Sequence, residues 1–251
     1  MNNCDYLLII YTCKKNLNKA LNLYNVILTN PINSTQVLII YGDPNLNTDH
    51  VLVNNLLILK VGDNYENLTD KSFKLFNTII KLFPNIKGIF KCDDDILINC
   101  DSLSYFIKKN SGHDYCGKIA NIDIPYNSTH HYGKCSDIVF NKPYLTIVTK
   151  YCGGPLYYLS NKALQCFKEK YIEFTMFEDN AVGAHLKNFN IYPSQYDLYS
   201  DEINNINKIS YHNNSKDNII FVRGKWKKNN ITNKKQLKNI QVIKNIKKIY
   251  Q

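Results

Sequence analysis

One arginine, Arg223, stands in a chain of 251 residues whose remaining positive charge is all lysine. With abundant Asn, Ile, Lys and Tyr, that scarcity has the look of AT-rich coding and says little about chemistry. Acidic residues also run out: none follows Asp217, whereas Arg223 and nine lysines do. Residues 1–217 hold 21 lysines against 21 acidic residues, so the net charge of +10 belongs to the C-terminal tail. No apolar run approaches the ~18 residues of a membrane span, and MNNCDYLLIIYT lacks the basic start and long apolar stretch of a signal peptide. A soluble, cytoplasmic protein with reduced thiols is therefore expected (in the host cytoplasm, if the source is a virus). The eight cysteines form no CxxC pair, which excludes a structural zinc ribbon or a small disulfide scaffold. There is no GxxxxGK[ST] loop, no GxGxxG after a strand, no HExxH and no GxSxG. P-loop, dinucleotide, zincin and serine-hydrolase chemistry lose their support together.

What remains is a regular first half. YLLIIYT (6–12), QVLIIYG (36–42), LLILKV (56–61) and GIFKC (88–92) are short apolar runs bounded by polar residues and read as buried strands. Between the first two, Ala20, Leu23, Ile27 and Leu28 mark a helix closed by Pro31. Before the fourth, Phe73, Phe76, Ile80 and Phe83 recur at helical spacing, with Asn67 or Thr69 as the expected cap and Pro84 as the stop. Strands alternating with helices predict an α/β fold with a mostly parallel central sheet flanked by helices. The second half is less periodic. Residues 111–150 read as loop; 149–164 read as a Gly-Gly turn, a short aromatic strand and a helix capped by Ser160; 177–189 read as a helix opening on Glu178 and Asp179.

In such sheets ligands bind beyond the carboxyl ends of the strands, and there the sequence places Asp93, Asp94 and Asp95. Three adjacent carboxylates between apolar runs repel one another and need a counter-ion. A hard divalent cation, Mn²⁺ or Mg²⁺, bridging to a substrate phosphate is the natural partner. A sugar nucleotide, a nucleoside triphosphate or a nucleic-acid backbone would each supply that phosphate.

Four collinear blocks then narrow the choice. VGDNYENLTDKS (61–72), KCDDDILIN (91–99), YCGGPLYYLS (151–160) and FEDNAVGAHL (177–186) resemble, in order, the conserved blocks of family-31 glycosyltransferases. That group includes β-1,3-galactosyltransferases, β-1,3-N-acetylglucosaminyltransferases and the Fringe proteins. The chain departs from it in having Lys14, Lys15 and Lys19 where the family is Arg-rich and Asn180 in place of Val, and it is expected to lack the family's membrane anchor and stem.

The resemblance implies a GT-A fold, placed over residues 1–217, while the charge and apolar spacing of 218–251 read as a basic, helical tail. The resemblance also implies an inverting, metal-dependent transfer from a UDP-sugar to a hydroxyl of a glycan or glycoprotein, with a β-1,3 linkage. Galactose is the first expectation for the donor, N-acetylglucosamine or glucose the alternatives. Asp95 is expected on the metal with Asp93, and His212, in KISYHN (208–213), completes the shell. Asp93 and Asp94 are further expected to orient the nucleotide, with Thr12 on the uridine and Lys71 on a phosphate. Asp179 is expected as the base that deprotonates the acceptor, Glu178 as the alternative. Tyr151, Gly153 and Gly154 are expected to approach the sugar, the glycines by close contact and by allowing positive φ. His130 and His131 are candidates for the acceptor side, while His185 reads as structural. In the tail, Leu237, Ile240, Ile243 and Ile246 share one helical face, which suits docking on the body or weak contact with a membrane surface. A nucleic-acid partner is not expected; a nucleic-acid-binding protein acting through this tail is the rival of another class.

Overall fold

The computed structural model describes residues 4–29, 31–98, 100–109, 112–169, 175–196 and 221–223. His212 and nearly all of the basic tail lie outside the described residues. Among the described residues the strands are β1 Tyr6–Tyr11, β2 Thr35–Gly42, β3 His50–Val53, β4 Leu56–Leu59, β5 Gly88–Asp93, β6 Ile96–Ile98, β7 Tyr115–Asn121, β8 Asn127–Ser128, β9 Tyr144–Leu145, β10 Lys150–Ser160, β11 Ser194–Gln195 and β12 Phe221–Arg223. The α-helices are α1 Leu17–Thr29, α2 Leu68–Leu82, α3 Cys100–Lys109, α4 Asn161–Gln165 and α5 Glu178–Lys187.

Eight strands form one sheet in the order β11-β7-β10-β5-β1-β2-β4-β3. Its centre, β5-β1-β2-β4, is parallel, as the alternation of strands and helices predicts. β1 explains why Leu7 to Ile10 are apolar on both faces. Leu7, Ile9 and Tyr11 enter a core shared with α2, whereas Leu8 and Ile10 enter a second core shared with α1 and α3. A strand covered on both faces has no position left for solvent. α1 buries Ala20, Leu23 and Ile27 but leaves Leu28 exposed.

Several elements differ from the sequence expectation. β3 is an added antiparallel edge strand that folds back on β4. Neither proposed side chain caps α2: Asn67 makes no capping bond, and the Thr69 hydroxyl donates to the Thr175 carbonyl at 2.7 Å. Ser160 does cap α4, accepting from the Ala163 amide at 3.1 Å. Residues 149–160 contain no Gly-Gly turn. β10 runs through Gly153 and Gly154 as one eleven-residue strand, antiparallel to β5 and β7, with its register against β7 broken between Cys152 and Tyr157. Neither glycine has positive φ. β12 pairs with β6, so three residues of the expected tail lie against the strand that follows the aspartates.

Candidate active site

The carboxyl ends of β1 and β5 open into a cleft of about 830 Å³. Its walls include Thr12 to Asn16 after β1, Asp63 to Tyr65 and Lys71 at the start of α2, all three aspartates, and Gly133 to Ser136 from the long β7–β10 connection. Position in the fold follows from parallel pairing: Tyr11 and Asp93 are register partners, so the residues after each emerge at one edge.

The three aspartates do not share one job. Asp94 is buried, and its carboxylate accepts a hydrogen bond from the Thr12 hydroxyl, itself buried. Burial pushes Asp94 upward, and the Thr12 bond pulls only partly against this. Thr12 and Asp94, expected on the nucleotide, are thus bonded to each other and fasten the β5–β6 turn to β1. Asp93 accepts from Lys91 Nζ at 3.0 Å and remains partly exposed. Asp95 lines the cleft beside it.

Lys71, expected to meet a phosphate, is almost fully buried. Its Nζ donates to Asp63 Oδ1 and to the Thr12 carbonyl, each at 2.9 Å. Burial lowers its pKa, and Asp63 pulls back against that fall. Asp63 also accepts from the Lys14 amide at 2.6 Å and the Gly42 amide at 2.8 Å. It ties the ends of β1 and β2 to α2, a role the sequence signalled only through the block VGDNYENLTDK. Exposed positive charge on the cleft walls comes instead from Lys14, Lys15 and Lys134.

Glu178 and Asp179 likewise separate. Glu178 is buried; its carboxylate accepts from Tyr157, from Ser72 at 3.1 Å and from Lys91 at 3.3 Å. Asp179 is partly exposed and accepts from the Gly154 amide at 3.1 Å and the Asn180 amide at 2.9 Å. Burial and the neighbouring Glu178 charge push Asp179 up to about 6, against the pull of those amides and of Lys91. Tyr65 on the cleft wall is pushed up to about 12 by burial and by the Asp179 charge.

The break in β10 supplies the frame for Asp179. Between Cys152 and Tyr157 the strand leaves its ladder with β7, so backbone groups there need other partners. The Cys152 amide donates to the Tyr115 hydroxyl at 2.7 Å, the Gly154 amide to Asp179, and the Gly154 carbonyl accepts from Lys91 at 2.9 Å. Tyr151 packs against α5 instead of standing clear of it. A Cβ on Gly183 would come within 2.4 Å of the Tyr151 Cβ, so glycine permits this helix–strand approach. Asn180 makes a reciprocal pair with Ile147: its side-chain Nδ2 donates to the Ile147 carbonyl and its Oδ1 accepts from the Ile147 amide, both at 2.9 Å, which fixes α5 to the β7–β10 connection.

The histidines in this region hold structure. His131 is fully buried, with Nε2 donating to the Phe140 and Lys142 carbonyls at 2.9 Å, so it clamps its own loop and does not line an open acceptor surface. His130 lies against Lys134. His185 packs among Phe73, Phe167 and Phe189 and bonds the Cys166 carbonyl, with burial lowering its pKa.

Among the described residues, no group of three or more His, Cys, Asp and Glu side chains is assembled to hold a metal ion. The two hard carboxylates Asp93 and Asp95 on one cleft wall nevertheless fit Mg²⁺ or Mn²⁺. Such ions keep waters and take one or two carboxylates plus substrate phosphates, without an all-protein cage.

A family model described as Galactosyltransferase matches residues 46–197, a span that contains all four sequence blocks. The UDP-GalNAc:beta-1,3-N-acetylgalactosaminyltransferase 1 of Mus musculus is 28% identical over 145 residues, covering 56% of this chain and 43% of that protein. The Homo sapiens protein of the same name is 27% identical over 144 residues, with the same coverage. The chain thus aligns with under half the length of these curated relatives. A solved structure titled as a glycosyltransferase involved in the glycosylation of the major capsid of PBCV-1 aligns over 99% of this chain and 100% of that chain. Its TM-score is 0.48 and its identity 9%, a likeness too loose to bear on function.

Proposed function

Because the chain belongs to the galactosyltransferase family, we propose that it is an inverting hexosyltransferase that moves a sugar from a UDP-sugar to a hydroxyl of a glycan or glycoprotein acceptor, with residues 1–217 as the catalytic unit. The observation that carries this reading is the placing of Asp93 and Asp95 in one cleft, with Asp179 tied to Asp93 through Gly154 and Lys91. Asp93 and Asp95 are set for charge at a diphosphate, and Asp179, held at about 6, is set apart from them on the α5 side. The donor is galactose or, by analogy with the name of the murine and human relatives, N-acetylgalactosamine; N-acetylglucosamine and glucose are the alternatives. The linkage is β-1,3.

Asp93 and Asp95 would hold a divalent cation, with His212 as the further ligand. Bound there, the ion would supply Lewis-acid stabilisation of the charge that develops on departing UDP. Lys14, Lys15 and Lys134 surround the same space with ammonium groups that attract the diphosphate. Asp179 accepts the acceptor's proton as the hydroxyl oxygen attacks the anomeric carbon from the face opposite UDP. The Gly154 and Asn180 amides aim its oxygens, and its raised pKa brings it nearer the operating pH, which suits a general base. Gly153, Gly154 and Tyr151 form the adjoining wall for the sugar. Glu178, engaged by Lys91, Tyr157 and Ser72, positions Asp179 and is the less suitable base.

The test is a panel of UDP-galactose, UDP-GalNAc, UDP-GlcNAc and UDP-glucose, each with and without Mn²⁺, read as UDP release. Release from one donor in a Mn²⁺-dependent manner supports the proposal and names the sugar. No release from any donor, with or without acceptor glycans, overturns it.

A further inference from the structure

Lys91 is buried at the carboxyl end of β5, and its contacts tie the cleft-lining Asp93 to α5 and to β10. Its Nζ donates to Asp93 at 3.0 Å, to Glu178 at 3.3 Å and to the Gly154 carbonyl at 2.9 Å. It also stands 4.6 Å from the centre of the Tyr11 ring and 5.4 Å from that of Tyr157. Those aromatic faces add cation–π attraction to the three hydrogen bonds. An ammonium has three N–H donors, and three acceptors on three different segments take them. Asp93 is the last residue of β5, Glu178 belongs to the first turn of α5, and Gly154 to the broken stretch of β10.

The Gly154 peptide has a second end. Its carbonyl accepts from Lys91 while its amide donates to Asp179. Lys91 therefore grips Asp93 directly and Asp179 at one remove, through Gly154 and through Glu178, the preceding residue in the chain. We propose that Lys91 is the positioning residue that locks the diphosphate-side carboxylate Asp93 and the acceptor-side carboxylate Asp179 into one rigid unit. This rests on the transferase reading above for its catalytic meaning, but the link itself is a property of the fold.

Electrostatics agree with the geometry. The Lys91 ammonium lies between two carboxylates, Asp93 at 3.0 Å and Glu178 at 3.3 Å. A fixed cation here also opposes the rise at Asp179. The groups that face Asp179 are Glu178 on its own helix, Lys91 on β5, Tyr65 on the cleft wall, Tyr151 and Cys152 on β10, and Tyr115 on β7. Lys91 is the cation in that set.

Lys91→Met keeps the length of the side chain and removes the charge and all three donors. Because it leaves Glu178 buried without its cation, the same change is also made in Glu178→Gln, whose amide oxygen still accepts from Tyr157 and Ser72. Lys91→Met/Glu178→Gln is then compared with Glu178→Gln. Two readouts are taken in each background: the pH profile of transfer, and the titration of the Asp179 carboxyl carbon by NMR. The expected result is a loss of kcat of about 100-fold, as for a small misplacement of reacting groups. The acidic limb of the profile and the Asp179 midpoint should both move to higher pH. An unmoved Asp179 midpoint in a folded variant overturns the proposal, as does a rate loss that is uniform with pH. If the unmutated protein transfers no sugar, the transferase reading fails, and the NMR midpoint alone decides whether Lys91 couples to Asp179.

Discussion

Two acidic stretches, Asp93–Asp95 on β5 and its turn and Glu178–Asp179 on α5, are joined through Lys91 and are divided in the same way. In each, one carboxylate is buried and consumed by the fold: Asp94 by Thr12, Glu178 by Lys91, Tyr157 and Ser72. In each, a neighbour is left more open: Asp95 and Asp93 on the turn, Asp179 on the helix. Adjacent residues point different ways, so a run of like charges need not act as one. The buried member fixes the backbone, and that fixed backbone presents the open member.

The sharpest way to break the comparison is Asp179→Asn, which should lower transfer about 10³-fold, within the range for loss of a general base, while UDP affinity measured by calorimetry stays unchanged. A joint loss of transfer and UDP binding would make Asp179 structural, like Glu178. Asp95→Ala should remove the stimulation of UDP release by Mn²⁺; activity that still depends on Mn²⁺ would take Asp95 off the metal.

Stability should report the buried members. Glu178→Ala strips a partner from buried Lys91 and should cost about 3 kcal/mol in denaturant unfolding. Thr12→Val leaves the Asp94 carboxylate without its hydroxyl donor and should cost about 1–2 kcal/mol. The smallest effect is on pH. Asp179 must be ionised to accept a proton, so kcat should rise with pH through about 6 and level off above it. A profile whose acidic limb lies near 4 would show that burial does not raise Asp179 in the working enzyme.

Part of this was legible without coordinates. The apolar runs of β1, β2 and β5, the α2 spacing, the Ser160 cap and the opening of α5 at Glu178 all follow from local pattern and composition. The aspartates' place at a strand's carboxyl end follows as well. Gly153-Gly154 was misleading because the pair suits a tight turn and a broken strand equally. What decides between them is whether Tyr115, Asp179 and Lys91 stand ready to take the freed backbone groups. The burial of Lys71 against Asp63 and the Thr12 carbonyl was not legible, because nothing local signals burial of a lysine at the start of a helix.

By itself, the sequence determined the mostly parallel α/β frame, the position of three carboxylates at its ligand-binding edge and the family to which the four blocks point. Only the tertiary structure decided which carboxylate is buried in a fold contact and which stays partly exposed. The physical reason is distance along the chain. Thr12 and Asp94 are separated by 82 positions and Lys91 and Glu178 by 87, and a buried charge is governed by the partner it meets in space.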